Sequence, residues 1–326
     1  MTNFQVYKKT LSFSFLNFLV DLLGLGVVGG AATAGFFIAN NGSNSRGFVG
    51  LVIGLLIGCL LLLPISIFLS NPIKAGQISM MTKGVTEDAL PDHPFNAGMK
   101  EARSRFGSIT AFYLISSAIK GIFNQLGRTI NKIGTAIGGN VGNGITSAID
   151  SAIQTLIAYL CDCCLGWIMF RKDENAFKAG CEGAVIFFKH GKTLIRNVGR
   201  IFGMGFLSLV LIGGGFFGIG YAIFSQFPGM FEVLVKEAYE IAATDGGVPP
   251  EVFQNPTTYM LIVLAIGAVV LWGILHSVLV RPFILVGVLR NFMAAGQKDI
   301  PTEQDFVELD NKSPKFAKLH RKFQEK

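Results

Sequence analysis

Apolar residues are grouped along the chain into six long runs that are separated by polar segments. A helix that crosses about 30 Å of hydrocarbon needs about 20 consecutive apolar residues, and each run reaches or approaches that length. The pattern predicts an all-α, polytopic helical membrane protein with about six transmembrane helices. The predicted spans are 18–39, 47–69, 106–123, 147–170, 201–224 and 259–280.

The polar segments predict the orientation of these spans. Lys and Arg concentrate in 71–105, 171–200 and 290–326, whereas the alternate loops hold few of them and 226–256 is acidic. Cytosolic loops of membrane proteins carry the excess of Lys and Arg, so both termini are predicted to be cytosolic. Segments 71–105 and 171–200 are then cytosolic interfacial helices, 226–256 is an acidic outer loop, and 290–326 is a cytosolic tail.

The composition argues against a water-soluble enzyme. Charged residues make up 15% of the chain and the mean hydropathy is +0.51, whereas soluble domains carry about 25% charged residues. The net charge of +7 fits contact with anionic lipid headgroups on the cytosolic face. Because no basic patch with interleaved aromatic residues is present, the lipid bilayer is the predicted partner and nucleic acid is not.

Glycines recur at helical spacing in three predicted spans. Close approach across small residues is a main source of contact energy between helices in lipid, so these positions are predicted to be helix-packing surfaces. They serve either packing within one chain or the interface of a homo-oligomer, and the sequence leaves both open. The glycines are Gly26 and Gly30 in the first span, Gly50, Gly54 and Gly58 in the second, and Gly214 and Gly218 in the fifth.

Two ionisable residues inside the predicted spans are candidates for a substrate or ion path. Asp162 lies within the fourth span. A charge at the centre of a bilayer costs about 2.5–3.5 kcal/mol on insertion scales, so a charge that is retained there suggests a function. The alternatives are that Asp162 has a buried structural partner or that it lies nearer the cytosolic edge of the membrane. His276 follows Trp272 by one helical turn on the sixth span, where it is either a packing residue or a proton relay.

Signatures of catalysis and metal binding are absent from the sequence. It contains no nucleophile elbow, phosphate-binding loop, dinucleotide fingerprint or metalloprotease motif, so neither an enzyme nor a cofactor is expected. Cys161 and Cys164 lie three residues apart on a presumed helix without a second pair, unlike the ligand loops of zinc sites. No metal site is predicted.

Three stretches have the character of one transporter family. They are GNGITSAIDSAIQTLIAYLCDCCLGWI (142–168), ENAFKAGCEGAVIFFKHGKTLIRNVGRI (174–201) and HSVLVRPFILVGVLRNFMAAGQKD (276–299). In order, they are similar to a Gly/Ser-rich span start, a cytosolic helix with a basic end, and the last span with its trailing helix in the choline transporter-like family. The resemblance covers about 139–310 and implies transport of a quaternary ammonium compound such as choline.

The leading hypothesis is therefore a transporter of a small cationic or polar solute. Aromatic faces with a counter-charge bind quaternary ammonium groups, and Trp167, Trp272 and Asp162 are the candidates. The alternatives are a non-transporting membrane scaffold or homo-oligomeric assembly protein that packs through its glycines, and an oligomeric channel-like pore. A water-filled path to Asp162 would favour transport, whereas dry packing around it would favour a scaffold.

Overall fold

Every described element of the chain is a helix. A computed structural model describes residues 1–39, 44–138, 143–227, 229, 231–233, 235, 236 and 255–324, and only the backbone of 44, 45, 48, 126–138, 143–153, 192–198, 322 and 323 within them. The all-α prediction is confirmed for this part of the chain. The chain divides into two units, Met1–Ile201 with Pro282–Lys326 (unit 1) and Phe202–Arg281 (unit 2). Most of the predicted acidic loop, 226–256, lies outside the described residues.

Long helices dominate both units, and α7 begins in unit 1 and ends in unit 2. The helix α7 bends at His190, whose φ of −109° and ψ of 15° are not helical. In chain order the helices are α1 (Asn3–Ala39), α2 (Asn44–Ile65), α3 (Asn71–Thr86), α4 (Pro94–Ser104), α5 (Phe106–Gly138), α6 (Asn143–Phe170), α7 (Ala176–Ser208), α8 (Gly214–Phe224), α9 (Pro256–Leu275), α10 (Arg281–Lys298), α11 (Glu303–Lys312) and α12 (Pro314–Gln324).

Five helical stretches among the described residues are long and apolar enough to cross a membrane. The fourth predicted span, 147–170, is not one of them: it lies on α6, whose apolar part with described side chains, Gln154–Phe170, is shorter than the others. The structure is therefore compatible with a membrane protein and has five such stretches among the described residues, while the count of six spans stays a prediction. The five are Asn3–Ala39, Val49–Thr86, Phe106–Gln125, Gly199–Phe224 and Pro256–Lys298.

Two of the long apolar helices continue through a proline. The π-helical segment π1 (Ser66–Ser70) joins α2 to α3 before Pro72, and a second one (His276–Val280) joins α9 to α10 before Pro282. A proline has no N–H to donate, and its ring clashes with the carbonyl four residues earlier. In both helices that carbonyl lies in the π segment, whose wider turn accommodates the ring. Each helix therefore runs on past the end of its predicted span.

The glycines of the second predicted span lie against α1. A Cβ at Gly58 would stand 2.8 Å from the Cα of Val28, and one at Gly54 would overlap the carbonyl oxygen of Ala31. Gly50 meets Gly35 in the same way. Since the contacts move down α1 as they move up α2, the two helices run antiparallel, at a distance that leaves no room for a larger side chain.

The other predicted packing glycines have no comparable contact. Among the described residues no neighbouring atom lies within 4 Å of a Cβ built at Gly26, Gly30, Gly214 or Gly218. The face of α1 that meets α2 carries Val28, Ala31 and Gly35 instead. The glycines of the second span therefore pack against a face of α1 that differs from the predicted one. This face can carry residues larger than glycine, because the glycines of α2 leave room for them.

Most of the exposed large apolar side chains among the described residues lie on four helical stretches. They lie on α1, on α2 with π1, on the stretch from Phe202 to Phe224, and on α9. In the part of α5 with described side chains, Leu114 is the only exposed large apolar residue. The part of α6 with described side chains has no exposed large apolar residue. Such a surface is typical of helices that face hydrocarbon, because monomeric soluble proteins rarely expose large contiguous apolar patches. The two helices α5 and α6 thus differ from the other apolar helices.

The described part of α6 is buried within unit 1. A Cβ at Gly166 of α6 would lie 2.8 Å from Leu289 of α10, and one at Gly296 of α10 would lie 2.6 Å from the ring of Trp167. The predicted tail, 290–326, is likewise folded into the unit: it forms the end of α10 together with α11 and α12, and Phe306 and Phe316 are fully buried.

Candidate functional site

The carboxylate of Asp162 is paired with a lysine of another helix. Its Oδ1 lies 2.6 Å from the Nζ of Lys74 on α3, and the two side chains are 6% and 32% exposed. The neighbours of Asp162 on α6, from Cys161 to Met169, are buried. Asp162 therefore has a structural partner in the same chain, which was one of the alternatives to a place on a solute path.

Sequence reasoning missed Lys74 because it lies far from Asp162 along the chain. The only signal was its position shortly after the second predicted span, beyond Pro72. Since α3 continues α2 through π1, Lys74 is brought within ion-pair distance of Asp162 on α6. Lysine bends its ammonium group towards water while its stem stays in apolar surroundings, which agrees with its partial exposure.

The indole of Trp167 is a buried hydrogen-bond donor. Its Nε1 donates to Oε2 of Glu182 at 2.7 Å, and Trp167 is fully buried. The Nε of Arg171 lies 3.3 Å from the same carboxylate oxygen, and the Glu182 side chain is only 1% exposed. The ring edge also meets Gly296 of α10. The aromatic face that was predicted to bind a cation is thus packed against the protein.

Arg105 satisfies the last carbonyl groups of α6. One of its terminal nitrogens donates to the carbonyl oxygens of Ile168 at 2.8 Å and Met169 at 3.1 Å. The last four carbonyls of a helix have no partner within it, so a guanidinium group at this place closes the end of α6. Burial lowers the pKa of Arg105, and the nearby Glu101 and Asp173 partly offset this shift.

Trp272 and His276 form a polar cluster with a serine in unit 2. Nδ1 of His276 lies 3.0 Å from Oγ of Ser208, and Nε1 of Trp272 donates to the same Oγ at 3.0 Å. Ser208 donates its own proton to the carbonyl of Gly205 at 2.7 Å. Because the hydroxyl proton of Ser208 is donated to Gly205, Oγ of Ser208 can only accept from His276. The hydrogen-bond network therefore assigns a proton to Nδ1 of the imidazole, which donates to Ser208.

The cluster lies where two helices of unit 2 change from α to π geometry. Ser208 comes directly before the π-helical segment Leu209–Gly213, and His276 begins the segment His276–Val280. Segments of π-helix inside α-helices are frequent at functional sites. The predicted site residues therefore form two sets, with Asp162 and Trp167 in unit 1 and Trp272 and His276 in unit 2. Ser208 was missed, although a hydroxyl within an apolar run was visible in the sequence.

The buried cysteines are packed as small apolar side chains. A Cβ at Gly183 would lie 2.7 Å from Sγ of Cys164, and burial, with Asp310 and Glu182 nearby, raises the pKa of the Cys181 thiol to about 12. Among the described residues, no group of three or more His, Cys, Asp or Glu side chains could hold a metal ion.

Comparisons with known proteins found no match among protein-family models, curated proteins or solved structures. The resemblance to the choline transporter-like family stays a prediction.

Proposed function

We propose that this chain is a non-transporting membrane scaffold, in which apolar helices anchor the protein in the bilayer and the remaining helices of unit 1 form a packed bundle on the cytosolic side. The observation that carries the proposal is the ion pair of Asp162 with Lys74 in a buried position. A counter-charge for a cationic solute has to be open to that solute. This carboxylate is instead compensated by a cation of the same chain.

The exposed apolar surface supports four spans instead of six. The spans are α1, α2, the stretch from Phe202 to Phe224, and α9, because these carry most of the exposed large apolar side chains among the described residues. An even number of crossings places both termini on one side. Of the 28 Lys and Arg, only Arg46 and Lys236 then lie in outer segments, so the excess of basic residues marks the side of the termini as the cytosol.

The contacts of the C-terminal helix support a cytosolic position for α5. Ser313 donates to Oε1 of Gln125 at 3.0 Å, and a Cβ at Gly121 would lie 3.5 Å from the side chain of Lys315. Lys315 and Lys318 are both exposed. Because an exposed lysine in hydrocarbon is costly, this part of α5 is in water next to α12.

An epitope tag inserted between α5 and α6 tests the topology. A tag inserted after Asn140 should be protected from antibody in sealed cells, as a C-terminal tag is, whereas a tag inserted after Asn41 should be accessible. The six-span arrangement places the tag after Asn140 on the outer side. Accessibility equal to that of the tag after Asn41 would therefore contradict the four-span proposal.

Solute uptake tests the absence of transport. Liposomes that contain the purified chain should take up labelled choline no faster than protein-free liposomes. Uptake above that background that disappears in Asp162→Asn would show that the carboxylate serves a solute, and it would overturn the scaffold proposal.

The polar cluster of unit 2 favours a second function, the transport of a small cationic or polar solute. An ionisable side chain inside a membrane span suggests a functional site. His276 directly follows α9 within the apolar stretch Pro256–Lys298, with Ser208 as its partner and Trp272 bonded to the same hydroxyl. Under this alternative, uptake is lost in His276→Gln and kept in His93→Gln, the same substitution at an exposed position before α4. Uptake that is equal in both variants would exclude a role for the cluster.

A further inference from the structure

The helix α4 carries two adjacent stripes of different character. Asn96, Lys100 and Arg103 follow one another at helical spacing, and Phe95 and Met99 form an apolar stripe beside them. Together with Leu16 of α1, these side chains line a cavity of about 500 Å³. A helix with basic and apolar faces of this kind is typical of the membrane interface.

The two cations of this cavity are available to a ligand. Lys100 and Arg103 are exposed, and neither is in an ion pair with a carboxylate among the described residues. Glu101, which lies between them in the sequence, forms an ion pair with Lys172, with 3.2 Å between its Oε1 and the lysine Nζ. The local acidic charge is therefore used elsewhere, and the cavity is lined by positive charge.

The cavity is held in place by close helix packing. A Cβ at Gly98 of α4 would lie 2.8 Å from the carbonyl oxygen of Gly76 on α3 and 2.6 Å from the ring of Phe13 on α1. Ala102 is fully buried on the same side of α4. Since α4 cannot rotate without losing these contacts, the basic stripe stays directed towards the cavity.

The exposed apolar surface of α1 begins beside the cavity. Phe15 and Leu19, which flank Leu16, are 57% and 42% exposed, whereas the exposed residues of α4 are polar or charged. The cavity thus lies where a lipid headgroup meets its acyl chains, if α1 spans the bilayer as proposed above.

We propose that this cavity binds the phosphate headgroup of an anionic phospholipid of the cytosolic leaflet. The guanidinium of Arg103 and the ammonium of Lys100 contact the phosphate, for which both are preferred side chains. Phe95, Met99 and Leu16 contact the start of the acyl chains. A lipid is favoured over a soluble phosphate because three of the six residues that line the cavity are apolar and the cavity opens beside exposed apolar residues. The inference rests on the proposed anchoring of α1 in the membrane.

Native mass spectrometry of the full chain in detergent tests the proposal. The probes are short-chain phosphatidylglycerol, short-chain phosphatidylcholine and inorganic phosphate. We expect phosphatidylglycerol to bind more tightly than the other two. Each basic residue near a membrane surface contributes about 1 kcal/mol to binding of anionic lipid, so the double variant Lys100→Gln and Arg103→Gln should weaken binding of phosphatidylglycerol roughly 30-fold.

The matched control removes the same charge at exposed positions outside the cavity. Lys298→Gln with Arg321→Gln should bind phosphatidylglycerol as the wild type does. Equal binding by the wild type and the Lys100/Arg103 variant would overturn the proposal, as would equal affinity for phosphatidylcholine. Arg103→Lys, which keeps the charge, gives a second measurement with an intermediate affinity expected. An outer position of the tag after Asn140 would contradict only the topology and would leave this titration unchanged.

Discussion

Replacing Lys74 by methionine removes the cation that faces the buried carboxylate of Asp162. Methionine has a similar length and is apolar, so the packing of α3 against α6 is preserved while the charge is lost. The negative charge of Asp162, whose side chain is only 6% exposed, then lacks the lysine cation that faced it. The variant therefore measures how far Asp162 depends on its partner.

The expected loss of stability is large. Removal of one partner of a buried ion pair costs about 3–5 kcal/mol. For a unit of this size each kcal/mol lowers Tm by about 2–4 °C, so Lys74→Met should lower Tm on the order of 10 °C. Asp162→Asn should cost less, because the ammonium group of Lys74, at 32% exposure, can still reach water.

Thermal unfolding of the full chain in detergent, followed by the helical circular dichroism signal, measures this loss. The control is the double variant Lys74→Met with Asp162→Leu, which removes both charges. Replacement of a whole buried pair by apolar residues is often neutral or stabilising, so the double variant should recover most of the stability. A wild-type Tm for Lys74→Met, or a double variant no more stable than Lys74→Met, would refute the reasoning.

Three further predictions concern the packing of the helices and the surface of unit 1. Gly54→Leu forces α2 away from α1 and should cost about 1–3 kcal/mol, whereas Gly26→Leu, which has no neighbour within 4 Å, should be neutral in the same unfolding assay. Trp167→Phe removes a hydrogen bond to a buried carboxylate and should cost about 1.5–3 kcal/mol, measured by circular dichroism. Burial alone would raise the pKa of Asp305, but hydrogen bonds from Thr302 and Lys189 lower the pKa below its ordinary value of 3.8. The ionised carboxylate therefore stabilises the folded state above pH 3.8. This stabilisation is lost as the pH falls through the pKa of the folded state. Asp305→Asn should therefore unfold at a lower temperature than wild type at neutral pH, and this difference should shrink in acid.

Hydropathy alone identifies the long apolar runs from which the helices with exposed apolar surface form. The runs that became α1, α2, the stretch from Phe202 to Phe224, and α9 are apolar on all sides, and no tertiary contact is needed to recognise them. The glycine spacing of the second span was also sufficient to identify a packing surface, because only glycine permits the approach seen at Gly54. Its partner face on α1 could not be predicted, since Ala31 and Gly35 stand out only once the two helices are aligned.

The tertiary structure alone decided which apolar helices are covered by protein. A helix buried in a protein core and a helix surrounded by lipid are both apolar on all sides, so the sequence of α6 could not show that its neighbours are other helices. In the same way, the partner of Asp162 depended on α3 continuing through Pro72, which brought Lys74 to it. Local composition sets how much a segment avoids water, but whether lipid or protein replaces that water is determined by long-range packing.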